Sequence, residues 1–338
     1  NVTKNVAIWP VMGERQIEIR GKDAAKFVQF LTSRDMSKCS VSQCKYALIT
    51  DQSGGIVCDP IILKLAHDRF WLSTSDCDLE LWAKGVAVNA PFKNVAISDA
   101  NVSVIQIQGP KSPNLVNDMF GDNVLDLKYY WHKTVIFQGN ELQISRTGWS
   151  GEFGYELYLE DHEQGDALFD ALLDTGKPYG AAPGAVNQTR RIESGILSWG
   201  VDMGIDENPY QVGLGRLVEL ENENHFIGRA ALEKIKDQCV EKTLVGLLID
   251  GSPIEANESP WNLYYNRKNV GKLTSLSYSP RLEKNIALGL VSRDFSEVGT
   301  ELSVTTWDGE RRIYVSELPF LPKLQNGDAR SLLQLSKK

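Results

Sequence analysis

Two Gly-rich segments carry the residue types best placed for chemistry. The first reads Thr50-Asp-Gln-Ser-Gly-Gly-Ile-Val-Cys-Asp59 and the second Thr147-Gly-Trp-Ser-Gly-Glu-Phe-Gly-Tyr-Glu156. Each sets Ser-Gly where a tight turn needs positive φ, and each places a carboxylate, Asp59 or Glu156, a few positions into the returning strand. Trp149 lies in the second turn, between Gly148 and Ser150. A ring that large is costly to leave in water, so its place at a turn points to a ligand that covers it. Such a set is suited to recognition, because carboxylates accept paired N–H donors and aromatic faces attract cations.

What is missing narrows the field. The four histidines, His67, His132, His162 and His225, are dispersed, and no Ser-His-Asp or Cys-His nucleophile system suggests itself. Five cysteines, Cys39, Cys44, Cys58, Cys77 and Cys239, form an odd, scattered set without a C-x-x-C pair. They read as reduced structural thiols, and no metal is expected. Thirty-six Lys and Arg against 44 Asp and Glu leave a net charge of −8, which gives no field favouring nucleic acid. No apolar stretch is long enough to span a membrane, and nothing near the start has the shape of a signal peptide, so a cytoplasmic protein is expected.

The 338 residues are enough for two or three domains. An internal repeat organises the first two thirds. Gln16-Ile-Glu-Ile-Arg-Gly21 followed by an amphipathic stretch matches Val104-Ile-Gln-Ile-Gln-Gly109 followed by another, and Phe70-Trp-Leu-Ser-Thr-Ser75 matches Tyr155-Glu-Leu-Tyr-Leu-Glu160. The offset stays between 85 and 90 residues, and period 2 gives way to period 3.6 at the same points. Two related α+β units follow, each a sheet with helices on one face. The two Gly-rich hairpins fall at matching places, so a pseudo-twofold axis would bring Asp59 and Glu156 toward a shared centre. A helical stretch is expected near 185–197. From about Thr243 to Phe320, short alternating strands punctuated by turns predict a small β-barrel or sandwich. The divisions are 1–100, an interleaved 101–235, a barrel over 240–322, and a loosely held polar tail over 323–338.

In this order and spacing, several segments resemble the glycine cleavage T-protein (aminomethyltransferase) superfamily over about 300 residues. They are Ser53-Gly-Gly-Ile-Val-Cys-Asp59, Gly148-Trp-Ser-Gly-Glu-Phe-Gly-Tyr-Glu156, Arg190-Arg-Ile-Glu-Ser-Gly195, Asn208-Pro-Tyr-Gln-Val-Gly-Leu-Gly215, Phe226-Ile-Gly-Arg-Ala-Ala-Leu232, and Tyr278-Ser-Pro with Asn285-Ile-Ala-Leu. Within the superfamily, Glu14-Arg-Gln-Ile-Glu-Ile19, Thr147-Gly-Trp-Ser150, Gly154-Tyr-Glu-Leu-Tyr158 and Arg191-Ile-Glu-Ser194 are similar to the bacterial dimethylsulfoniopropionate demethylase branch. The resemblance implies a three-domain α+β body around a central channel, with tetrahydrofolate as methyl acceptor and a small zwitterionic sulfonium as donor. A betaine or N-methylglycine donor stays open, as does glycine cleavage. Against glycine cleavage, Glu80 stands where those enzymes carry an aspartate, and Asn187 where they carry an arginine.

A sulfonium methyl is already activated, so catalysis is expected to be positioning, with no catalytic acid, base or nucleophile. By resemblance, Tyr46, Ser73, Trp149 and Tyr158 line the donor pocket. Glu156 binds the pterin, Asp59 either bonds folate or orders the facing hairpin, and Tyr130, from a run that is half packing and half wall, joins the cofactor-binding residues. Glu193 reads as structural. A homodimer is compatible with the family.

Overall fold

A computed structural model of the chain describes residues 1–335. Alternating patterns become two antiparallel sheets. The first runs, edge to edge, Cys44–Tyr46, Ile61–Ala66, Arg69–Thr74, Arg15–Arg20, Ala96–Asp99. The second runs His132–Phe137, Asn140–Ser145, Gly154–Leu159, Ser103–Gln108, Val6–Pro10, with Ala181–Pro183 added in parallel at the far edge. The same order of parts recurs, as the repeat requires.

The leading strands are exchanged between the units. Val6–Pro10 immediately precedes the first unit, yet it pairs with Ser103–Gln108 of the second sheet. Ala96–Asp99 immediately precedes the second unit and pairs with Arg15–Arg20 of the first. Gly21 and Gly109 mark the exchange. Their φ angles are +126° and +127°, and a Cβ on either would lie 2.3 or 2.1 Å from the carbonyl oxygen of Asn94 or Asn5, just ahead of the incoming strand. Residues 6–10 therefore belong to the second sheet, although they open the 1–100 stretch.

Helices cover one face of each sheet. Ala24–Leu31 buries Ala24, Phe27, Val28 and Leu31, a 3–4–7 spacing that places all four on one stripe. Burying Phe27 alone contributes roughly 2–3 kcal/mol. Gly165–Gly176 does the same for the second sheet through Leu168 and Leu172. Between the sheets, Cys44, Leu63, Trp71, Val102, Val104 and Tyr158 form a shared seam, with the Trp71 and Tyr158 rings 6.0 Å apart.

Six strands between Lys242 and Ser316 close the expected barrel. Its outer face meets the α+β body through Leu48, Ile56, Ile192, Leu217, Ile286 and Leu288. Polar bonds fix the joint. Buried Arg191 pairs with Asp202 at 2.6 Å, and Asp202 also accepts from the Thr274 and Ser275 hydroxyls, each at 2.6 Å. Helix Gln188–Glu193, shorter than the stretch expected, presents Arg191 to this joint.

Three expectations need correction. The two Gly-rich hairpins are not equivalents, because 50–56 connects a separate pair of short strands while 146–153 connects Asn140–Ser145 to Gly154–Leu159. Cys58 and Cys77 are joined in a disulfide with Cα atoms 6.0 Å apart, because the turn after Thr74 returns the chain to Cys58. Cys39, Cys44 and Cys239 are free thiols. The stretch after Pro322 is docked rather than loose. Buried Gln325 accepts from the Tyr129 hydroxyl at 2.8 Å, and its amide donates to the Gly148 carbonyl at 2.7 Å. Helix Ala329–Leu335 follows and buries Ala329 in the second unit's core. Residues 336–338 of the expected tail lie outside the described residues.

Candidate active site

Glu156 is the centre of the best-built polar cluster. Its side chain is 5% exposed, and every donor to it is neutral. The Gln106 amide donates to Oε1 at 2.7 Å, the Tyr158 hydroxyl donates to Oε2 at 3.0 Å, and the Thr147 hydroxyl also donates to Oε2. Burial pushes the Glu156 carboxyl above its ordinary range, and these bonds only partly oppose it. The strand Gly154–Leu159 supplies Glu156 and Tyr158 from one face, two residues apart.

A second carboxylate faces this one, and the sequence reading did not single it out for the site. Glu14 stands just before strand Arg15–Arg20. It accepts from the Ser73 hydroxyl, and Ser73 in turn accepts from the Gln16 amide at 2.9 Å. Burial, then the nearby Glu156, push the Glu14 carboxyl up to about 8. Among the described residues no basic side chain pairs with either carboxylate. The buried Oε1 atoms of Gln16 and Gln106 also have no donor. The signal lay in period 2, since Glu14, Gln16 and Glu18 share the face that also carries Ser73 across the ladder.

The remaining residues divide between two further places. The Tyr46 hydroxyl donates to Asp59 at 2.9 Å, and burial pushes Asp59 up to about 7. Tyr130 adjoins this pair. It is a bulky residue at φ +60°, held there by its carbonyl accepting from Cys44 N–H at 2.7 Å and its own N–H donating to Arg146 O at 3.1 Å. Its ring rests on Tyr129 at 4.4 Å. Cys44 borders both groups, its N–H donating to the Tyr130 carbonyl while burial, then Glu156, push its thiol well up.

Trp149 lies apart from that cluster. It lines a cavity of about 230 Å³ with Trp9, Pro183, Asn187 and Arg190. The Arg191 guanidinium sits 5.4 Å from its ring. Asn187 caps helix Gln188–Glu193 by accepting from Arg190 N–H, and Glu193 is ion-paired with Arg190 and accepts from Ser279 at 2.6 Å. The structure thus brings together Glu156, Tyr158 and Ser73, sets Tyr46, Asp59 and Tyr130 beside them, and places Trp149 at a separate cavity.

Residues 1–222 match the family described as the GCVT N-terminal domain, and residues 242–321 match the glycine cleavage T-protein C-terminal barrel domain. The chain belongs to the glycine cleavage T-protein family. This T-protein family member is 35% identical over 317 residues to dimethylsulfoniopropionate demethylase DmdA of Ruegeria pomeroyi, covering 94% of this chain and 86% of that protein. It is 30% identical over 298 residues to an aminomethyltransferase of Caldanaerobacter subterraneus, covering 87% and 78%. The aminomethyltransferase T structure from Bartonella henselae shares the fold, with a TM-score of 0.85 at 22% identity over 95% of this chain and 88% of that one. As a member of a family of methyl and aminomethyl transferases, the chain is an enzyme. Among the described residues no helix is long and apolar enough to cross a membrane.

Proposed function

We propose that this T-protein family member moves a methyl group from dimethylsulfoniopropionate to N5 of tetrahydrofolate, giving methylthiopropionate and 5-methyltetrahydrofolate. The N5 lone pair forms the new C–N bond, the S–C bonding pair stays on sulfur, and the N5 proton passes to solvent. The sulfonium is discharged to a neutral thioether, so the donor supplies the activation and the chain supplies position and a dry channel.

The observation that supports this reading is a pair of cation-free carboxylates, buried Glu156 and half-buried Glu14. A reduced pterin fits there, because its aminopyrimidine edge offers adjacent N–H donors that Glu156 and the unpartnered Gln106 Oε1 would accept. Tyr158 and Ser73 then face the donor, with Tyr46, Asp59 and Tyr130 as the adjoining wall. Asp59 orders that wall through Tyr46. We assign Trp149 to the neighbouring cavity instead, because its ring already faces the fixed cation of Arg191.

Two features favour methyl over aminomethyl transfer. Glu80 is engaged by Arg15 and Lys84 at 2.9 and 2.7 Å, which holds it in a surface ion-pair set. Asn187 is used as a helix cap. The likeness to the demethylase also exceeds that to the aminomethyltransferases, 35% against 30%. The test is a donor panel of sulfonium, betaine and N-methylglycine compounds with tetrahydrofolate, read by formation of 5-methyltetrahydrofolate. Dimethylsulfoniopropionate should give the fastest turnover. Product from a betaine alone, or transfer only from an aminomethyl donor, would overturn the reading.

A further inference from the structure

Buried Glu156 and half-buried Glu14 both lack a basic partner, and two such carboxylates close together resist ionising at the same time. Here they are joined by two buried amide oxygens, Gln16 Oε1 and Gln106 Oε1, that also have no donor, on side chains 0% and 2% exposed. Each amide bonds into the cluster through its nitrogen, Gln106 to Glu156 and Gln16 to Ser73. Four acceptor groups thus gather in one cluster, and among the described residues no basic side chain pairs with its carboxylates. The pterin accounts for one side of this set, at Glu156 and Gln106. Glu14, on a strand of the other sheet, is left over.

We propose that Glu14 is a specificity-determining residue which, together with Glu156, supplies the counter-charge for an onium methyl donor and disfavours a neutral donor of the same shape. The assignment rests on the methyl-transfer reading for the reaction class, and it covers sulfonium and quaternary ammonium alike. The pair holds a proton when the channel contains no cation. An arriving onium displaces that proton, so donor affinity rises with pH. Once the methyl has left, the thioether is neutral, the attraction disappears and the pair regains its proton. The groups facing Glu14 leave the titration to the pair. From strand Gly154–Leu159 these are Glu156 and Tyr158, with Cys44 from strand Cys44–Tyr46 behind them. The Tyr158 hydroxyl and the Cys44 thiol are both pushed well up and stay neutral.

The test is calorimetric titration of the full chain with dimethylsulfoniopropionate, glycine betaine and methylthiopropionate at pH 6.5 and 8.5. It is repeated on Glu14→Gln and Ser73→Ala, with tetrahydrofolate binding as the control. The parent should bind an onium about tenfold more tightly at the higher pH, a dependence the thioether lacks. Glu14→Gln should lose about tenfold in onium affinity and most of the pH dependence, with folate affinity changed less than about threefold. Ser73→Ala removes the hydroxyl that favours the Glu14 anion and should move the midpoint to higher pH, which keeps the idea testable if Glu14→Gln folds poorly. A parent that binds betaine and ignores the sulfonium ends the sulfonium reading and leaves Glu14 to be judged on betaine. The proposal is overturned if Glu14→Gln binds both oniums as the parent does, if its loss falls on folate, or if the parent binds neither onium.

Discussion

Trp71 of the first sheet and Glu156 of the second occupy equivalent places in the repeat, and their cross-strand partners, Glu18 and Gln106, are equivalent too. In the first sheet the carboxylate is Glu18, and it is fully matched. It accepts from Trp71 Nε1 at 3.0 Å and is ion-paired with Arg69, whose guanidinium also stacks 5.3 Å from the Trp71 ring. In the second sheet the carboxylate has moved to the other strand and its partners are all neutral. One half of the repeat therefore closes its polar pair with a cation and an indole, and the other half leaves the same pair open. On the proposed reading, a ligand bearing N–H groups or positive charge completes the open half.

Changes at the two sites should behave oppositely. The largest effect belongs to Glu156→Ala, which on the proposed reading removes the charge-assisted hydrogen bond to the pterin and, with it, the carboxylate that holds the Gln106 amide in place. At roughly 1.5–3 kcal/mol for such a bond, tetrahydrofolate affinity should fall by about 10- to 100-fold in calorimetric titration. An affinity within threefold of the parent would break the comparison. Glu18→Gln should leave folate binding alone and instead lower unfolding free energy by about 1–2 kcal/mol in urea. That figure is modest because Arg69 is one third exposed and its charge is screened.

The free protein should also lose stability as pH rises. Glu14 and Asp59 hold protons more tightly folded than unfolded, so the folded state carries more protons across the window from their ordinary values to about 8 and about 7. Stability therefore falls between roughly pH 4 and pH 8, and Glu14→Gln should flatten the upper part of that slope in thermal melts. A Tm that climbs over this range would contradict the cation-free account of the channel. The smallest effect is expected at Glu80, a carboxylate paired at the surface. Glu80→Gln should change stability by less than about 1 kcal/mol and turnover by less than twofold. A large loss of turnover there would restore the aminomethyl reading.

Much of this was legible in the chain. Gly21 and Gly109, at the same point in both copies, fixed the repeat, and their shared positive φ explains why glycine recurs there. Glu156 was readable because Gly-Tyr-Glu-Leu-Tyr alternates, and a carboxylate on the inward face of a strand is exceptional. The exchange of leading strands was not readable. Val6–Pro10 and Ala96–Asp99 are short and their patterns fit either sheet, so only tertiary pairing decides between them. Glu14 was missed for a related reason. A Glu beside an Arg at a strand's start looks like a solvated end, and its partial burial beside Glu156 depends on the second sheet, whose approach no local pattern encodes. Trp149 is a different case. Its place at a glycine turn does signal a ligand-sized cavity, yet that cavity opens beside Trp9 and Arg190 rather than over Glu156.

The most direct test of the central claim uses dimethylsulfoniopropionate carrying 13C in its S-methyl groups, mixed with tetrahydrofolate and followed by NMR in a single turnover. The account predicts that the label appears as the N5-methyl of tetrahydrofolate with the parent and disappears from that position with Glu156→Ala. Label that remains on sulfur with the parent, or that reaches N5 equally well without the Glu156 carboxylate, would contradict it.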